Sequence, residues 1–194
     1  MSLEVNSGNW QDLFAGCYMY TLNGTGSLVM NGGSAVNVQT TYNGKHTGDL
    51  TITINGGTVT NLYGGARSTG NIDGNVTVNL NGGTIKTKWD ADGAGIWNGE
   101  AILNLGGHVT IGTGIRLNVT GAVTAPSIVT ISGTPSNGLD IGSAKNTPNV
   151  TGNLFCNNGN GWLINVSGSD LKLATFTPSA TCHYCEHCKN VVKW

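Results

Sequence analysis

A chain of 194 residues is long enough for one sizeable core or two small ones. Glycine contributes 31 residues and charged side chains only 10%, against about 7% and about 25% in ordinary domains, while Asn and Thr occur 24 times each; this is a chain of turns and strands, and a helix-rich fold is excluded. The net charge of -1 offers no basic patch, which argues against nucleic acid and against a polybasic membrane anchor.

The amino-terminal "MSLEVNSGNWQ" lacks the basic and apolar regions of a secretory signal, and no apolar run is long enough to span a bilayer. Asn/Thr/Gly-rich, charge-poor repeats are nevertheless most familiar from exported proteins. Met1 is therefore expected to begin an excised piece of a longer exported chain.

From Leu3 onward the sequence repeats itself. With the second glycine of each turn in one column, Gly8, Gly33, Gly57, Gly83 and Gly107 follow at spacings of 25, 24, 26 and 24. Before the turn stand Val5, Met30, Ile54 and Leu80, and two residues earlier Leu3, Leu28, Ile52 and Val78; after it come Trp10, Ala35, Val59 and Ile85. Period-two alternation puts all of these on one inward face. Thr51, Thr53, Thr77 and Asn79 take the other.

The turn carries an asparagine column, Asn6, Asn31, Asn55 and Asn81, whose amides can bond along a stack. Glycine stands beside it because the corner demands positive φ. In "AILNLGGHV" the asparagine is lost, and Leu103 and Leu105 should come inward through a turn one residue shorter. Farther on, "SIVTISGTPSNGLDIG" places Gly133 26 residues after Gly107, and "LFCNNGNGWLINVSG" follows. Seven to eight coils are predicted, of 24-26 residues each, over residues 1-178, followed by a Cys/His-rich tail at 179-194. Coils repeat in this way because none can bury its apolar face alone.

Units such as "GNVTVNLNGGTI" and "VTNLYGGA" resemble the parallel β-helix repeats of large bacterial surface proteins, often from gut Firmicutes. The resemblance covers residues 3-121 well and the remainder loosely. It implies an all-β, right-handed parallel β-helix (β-solenoid) exposed on a cell surface, or secreted, and used for adhesion, display or spacing.

"KWDADGAGIWNGE" is the densest acidic point, with Asp90 and Asp92 between Trp89 and Trp97. Loops that interrupt a regular solenoid are where binding sits, and indoles can stack on sugar rings, so these four residues form the candidate ligand site, for a glycan or a surface protein. The plain reading is a solvated turn with tryptophans covering the coil edge. Calcium is not expected, because Ala94 stands where a third ligand is wanted. A carbohydrate-active β-helix, lyase or hydrolase, is the competing function, and it would need carboxylates converging with a Lys or Arg. No catalytic residues can be assigned, since no Ser/His/Asp or Cys/His arrangement assembles.

Phe14, Tyr63 and Trp89 fall one position after Leu13, Leu62 and Lys88, in a column that Gln39 and Thr113 interrupt; packing explains them better than a stacking platform. Thr-x-Thr pairs suggest an ice-binding array, but Glu4, Val29, Asn79 and Lys86 break it.

Leu3 to Gly8 already reads as a repeat and leaves no room for a cap, so either more chain precedes it or molecules associate end to end. In the tail, "TCHYCEHCKNVVKW" holds Cys182, Cys185 and Cys188 at knuckle spacing with His183 and His187 inside. One structural zinc is expected there, held by the three thiolates and His187 or His183. A disulfide, or free thiols on a cap packed through Val191, Val192 and Trp194, stand as the alternatives.

Overall fold

A computed structural model describes residues 1-145, 153-158 and 162-175. The first coil consists of β1 (Ser2–Val5), β2 (Asn9–Phe14) and β3 (Thr21–Leu22). The second has β4 (Gly26–Met30), β5 (Ser34–Gln39) and β6 (Lys45–His46); the third, β7 (Leu50–Ile54), β8 (Thr58–Tyr63) and β9 (Asn71–Ile72); the fourth, β10 (Val76–Leu80), β11 (Thr84–Asp90) and β12 (Ile96–Trp97). The fifth begins with β13 (Ala101–Leu105) and β14 (His108–Gly112). There follow β15 (Leu117–Val119), β16 (Ser127–Ser132), β17 (Asp140–Ala144), β18 (Leu154–Cys156), β19 (Trp162–Ser167) and β20 (Asp170–Thr175).

Equivalent strands of successive coils pair in parallel and build three walls of a β-solenoid. The first wall has the order β1-β4-β7-β10-β13, the second β2-β5-β8-β11-β14-β16-β18, and the third β3-β6-β9-β12. About six turns are formed.

The expected columns are the core. Met30, Ile54 and Leu80 lie in register and are fully buried, as are Leu28 and Ile52 beside Val78. Burying each such side chain stabilises the fold by about 1.5–3 kcal/mol. At the corner, Gly8, Gly33, Gly57, Gly83 and Gly107 all take positive φ. At Gly57 a side chain is doubly excluded: φ is 82°, and a Cβ would sit 2.6 Å from the Gly33 carbonyl oxygen of the coil before. The asparagine column is a hydrogen-bonded ladder, Asn31 Nδ2 donating to Asn6 Oδ1, Asn55 to Asn31 and Asn81 to Asn55 at 2.8–3.0 Å. Leu103 and Leu105 do lie inside, but the register puts one residue more, not fewer, into this corner: Leu105 pairs with Leu80 and Thr110 with Thr84.

Trp10 departs from its column. It is in register with Ala35, yet 47% exposed, because the indole folds back over the turn and donates Nε1–H to the Ser7 carbonyl oxygen at 3.1 Å. Trp89 is displaced too. A bulge between Ile85 and Lys88 advances β11 so that Lys88 faces Asn61, Trp89 faces Leu62 and Asp90 faces Tyr63. Trp89 therefore occupies an inward position and is not aligned with Phe14 and Tyr63.

The count of seven to eight coils does not hold. Ile128 pairs with His108 and Ile131 with Ile111, so "SIVTIS" belongs to the second wall and Ser127, not Gly133, is the counterpart of Gly107. The chain shortens this coil: β15 does not join the third wall but stacks in parallel on β17, 25 residues on, with Leu117 and Val119 in the core, and Val123, bridged to Leu105, supplies the rung of the first wall. Leu154–Cys156 stacks on β16. Trp162–Ser167 instead folds back antiparallel on β20, in a fourth sheet ordered β15-β17-β20-β19.

Candidate functional site

At the fourth coil the third wall ends among the described residues, with β12 as its last strand, while the first continues to β13 and the second to β18. On the second wall β14 meets β11 only at Thr84 and Ile85, so the part of β11 from the bulge to Asp90 has no strand above it. Trp89 and Trp97 stand at these two ends, both half-buried against the core; Trp97 follows Ile72 in the inward column of the third wall. They are lid residues of the solenoid core.

Asp90 is committed to the turn. Its Oδ2 pairs with Lys88 Nζ at 2.8 Å and its Oδ1 accepts the Gly93 amide at 3.0 Å. Burial alone would raise its pKa, but the Lys88 bond and the Gly93 amide outweigh it and hold the carboxyl below the usual range. The same ion pair raises the Lys88 pKa. Asp92, by contrast, is exposed.

The two tryptophans border a partly open pocket of about 180 Å³, which Asn118 and Thr120 also line. Trp89, Trp97 and Asp92 line it, with Val76, Val78 and Leu103 of the core as its floor. Three of the four residues singled out in the sequence thus share one concavity; Asp90 does not line it. Trp97 Nε1 donates to the Gly74 carbonyl oxygen at 3.1 Å. Trp89 Nε1 is buried without an acceptor among the described residues.

A second feature escaped the sequence reading. Tyr18 and Tyr42 stack at 5.1 Å with rings within 4° of parallel, and the Arg67 guanidinium lies 5.6 Å from the Tyr42 centroid and 5.5 Å from that of Tyr63. Lys88 Nζ continues the series 5.0 Å from the Tyr63 centroid. Arg67 also pairs with Asp12 at 3.0 Å, and Asp12 Oδ1 accepts from Asn37 and Gln39 as well. Tyr42 is covered by Tyr18 from the coil before and by Arg67 from the coil after, so the stack is a set of rungs and no open platform for sugar rings. The coil period was the signal: Tyr18, Tyr42 and Arg67 are spaced by 24 and 25 residues, in loops and not in strands.

His46 is fully buried in the inward column of the third wall with neither ring nitrogen bonded among the described residues. Also among the described residues, no three His, Cys, Asp or Glu side chains converge as metal ligands do. Cys182, Cys185, Cys188, His183 and His187 lie outside the described residues. No helix among the described residues is long and apolar enough to cross a membrane.

No family model, curated protein or solved structure matches the chain. The fold defines the class by itself: a parallel β-solenoid of stacked coils.

Proposed function

We propose that the chain is a non-catalytic β-solenoid module of a bacterial cell-surface or secreted protein, acting in adhesion, display or spacing. One observation carries this reading. Three of the five ion pairs among the described residues are rungs between coils, Lys45 with Asp73, Arg67 with Asp12 and Arg116 with Asp140, and Lys88 with Asp90 closes a turn. A polysaccharide lyase or hydrolase needs carboxylates and a base converging on one bond, whereas these are spent separately on holding coils and turns together. Among the described residues β1, β2 and β3 are edge strands, and such edges would offer a docking surface for end-to-end self-association.

The test is a glycan array run beside an assay for unsaturated or reducing sugar products. Retention on particular glycans or on cells without product formation is expected. Product formation that is lost in Asp90→Asn or Asp92→Asn would establish the enzyme reading instead.

A further inference from the structure

We propose that a shallow groove along the outer face of the second wall, running from Trp10 to Lys86, is a binding site for a short acidic oligosaccharide. This rests on the adhesive part of the proposed function and names its ligand class.

Strand alternation builds the groove. Ala35 and Val59 are buried in the core, so Ser34, Val36, Thr58 and Thr60 take the outer face; Asn9 and Gln11 line it from the coil before and Lys86 from the coil after. Its volume of about 470 Å³ falls within the range of small-ligand sites, about 300–1,000 Å³. From β2 to β11 it crosses three strand spacings, about 14 Å, which is room for two or three sugar rings.

The lining selects the chemistry. Trp10 presents an exposed indole whose Nε1–H is tied to the Ser7 carbonyl oxygen, so the ring is held in place at the groove, and the apolar face of a sugar ring stacks on such a surface. The polar groups are unspent. On the first wall the outward side chains bond from coil to coil, Asn104 to Asn79, Asn79 to Thr53 and Ser27 to Ser2, whereas in the groove only Ser34 does so, to Asn9. Gln11, Thr58 and Thr60 have no side-chain partner among the described residues and are free to bond sugar hydroxyls. Charge completes the selection: no carboxylate lines the groove, and Lys86, unlike Lys88 on the same strand, has no acidic partner among the described residues. An acidic group on the ligand supplies it.

The experiment titrates the full chain with cellotriuronate and trigalacturonate, with their neutral counterparts cellotriose and methyl-esterified trigalacturonate, and with triglutamate, following heat release and indole fluorescence and weighing the recovered trimer by mass spectrometry. At least one acidic trimer should bind, about tenfold more tightly than its neutral counterpart, the worth of one charge-assisted bond, and the advantage should shrink as salt is raised. Lys86→Met should remove that advantage and leave the neutral trimer unchanged. Trp10→Ala should weaken both by about tenfold. Lys145→Met, which removes an unpaired cation outside the groove, should change nothing. The trimer should be recovered intact; cleavage of a bound trimer would support the site and overturn only the non-catalytic reading. Binding of neither acidic trimer, equal or tighter binding of the neutral counterpart or of triglutamate, or unchanged binding in folded Trp10→Ala or Lys86→Met would each overturn the site, and a positive glycan array beside any of these results would keep the adhesive reading without it.

Discussion

The Asn55 side chain donates to Asn31 Oδ1 at 2.8 Å across one coil step, and its own Oδ1 receives the Asn81 amide at 3.0 Å. One residue thus holds two coil contacts on an exposed edge. Asn55→Ala removes both bonds, and the expected loss is about 1–2 kcal/mol. Urea denaturation should show the midpoint fall with the slope unchanged; a midpoint equal to the parent's would mean that water replaces the ladder at no cost.

Glycine substitutions should split by backbone geometry. Gly57→Ala forces a side chain onto φ of 82° and against the Gly33 carbonyl, costing at least about 1–2 kcal/mol. Gly114→Ala meets nothing within 4 Å and no positive φ, so it should be neutral or stabilise by up to about 1 kcal/mol. Equal melting temperatures for the two variants would contradict the corner geometry.

Ile54 lies fully buried between Met30 and Leu80. Ile54→Ala should cost about 2–5 kcal/mol. Ile54→Asp should cost more, because an unpaired carboxylate enters the stack. A melting curve for the aspartate variant matching the parent's would remove Ile54 from the core.

Stability should fall as the solution is acidified below pH 6.5. Desolvation lowers the His46 pKa from its ordinary 6.5, the Gly24 backbone opposes this in part, and the positive amino terminus adds to it. The unfolded chain then binds the proton that the folded chain refuses, so the contribution is complete above the unfolded pKa. It is lost on going down, by at most about 1.4 kcal/mol per pH unit. The carboxyls of Asp73, Asp90 and Asp140 are depressed below their ordinary 3.8, so they act only at lower pH. Urea midpoints at pH 8, 6.5 and 5 should decline for the parent and flatten in His46→Gln.

The architecture was legible in the sequence where local chemistry and coil period coincide. Gly57 and its column announce a corner because only glycine tolerates it, and the Met30, Ile54 and Leu80 column announces a shared interior. The one-residue bulge that moves Trp89 into register with Leu62 leaves no mark in composition. Gly133 reads as a corner in the sequence because a glycine after any alternating strand looks the same, and only the pairing of β14 with β16 shows that the coil is cut short. Trp89, Trp97 and Asp92 could be picked out as residue types. That the third wall ends and the last part of β11 is left unpaired beside them is a property of neighbouring coils, which a single stretch of sequence does not contain.

The strands lie across the long axis of the solenoid, and the bonds that join coil to coil run along it, backbone and Asn ladder alike. A pull applied to the two chain ends along that axis therefore loads these bonds one rung at a time. The molecule yields by unwinding from its open edge, one coil of some two dozen residues per step, at low force and with a large gain in length. A sideways pull across many rungs at once shears them together and meets much higher resistance. As a tether this chain would behave as an extensible shock absorber lengthwise and as a stiff strut crosswise.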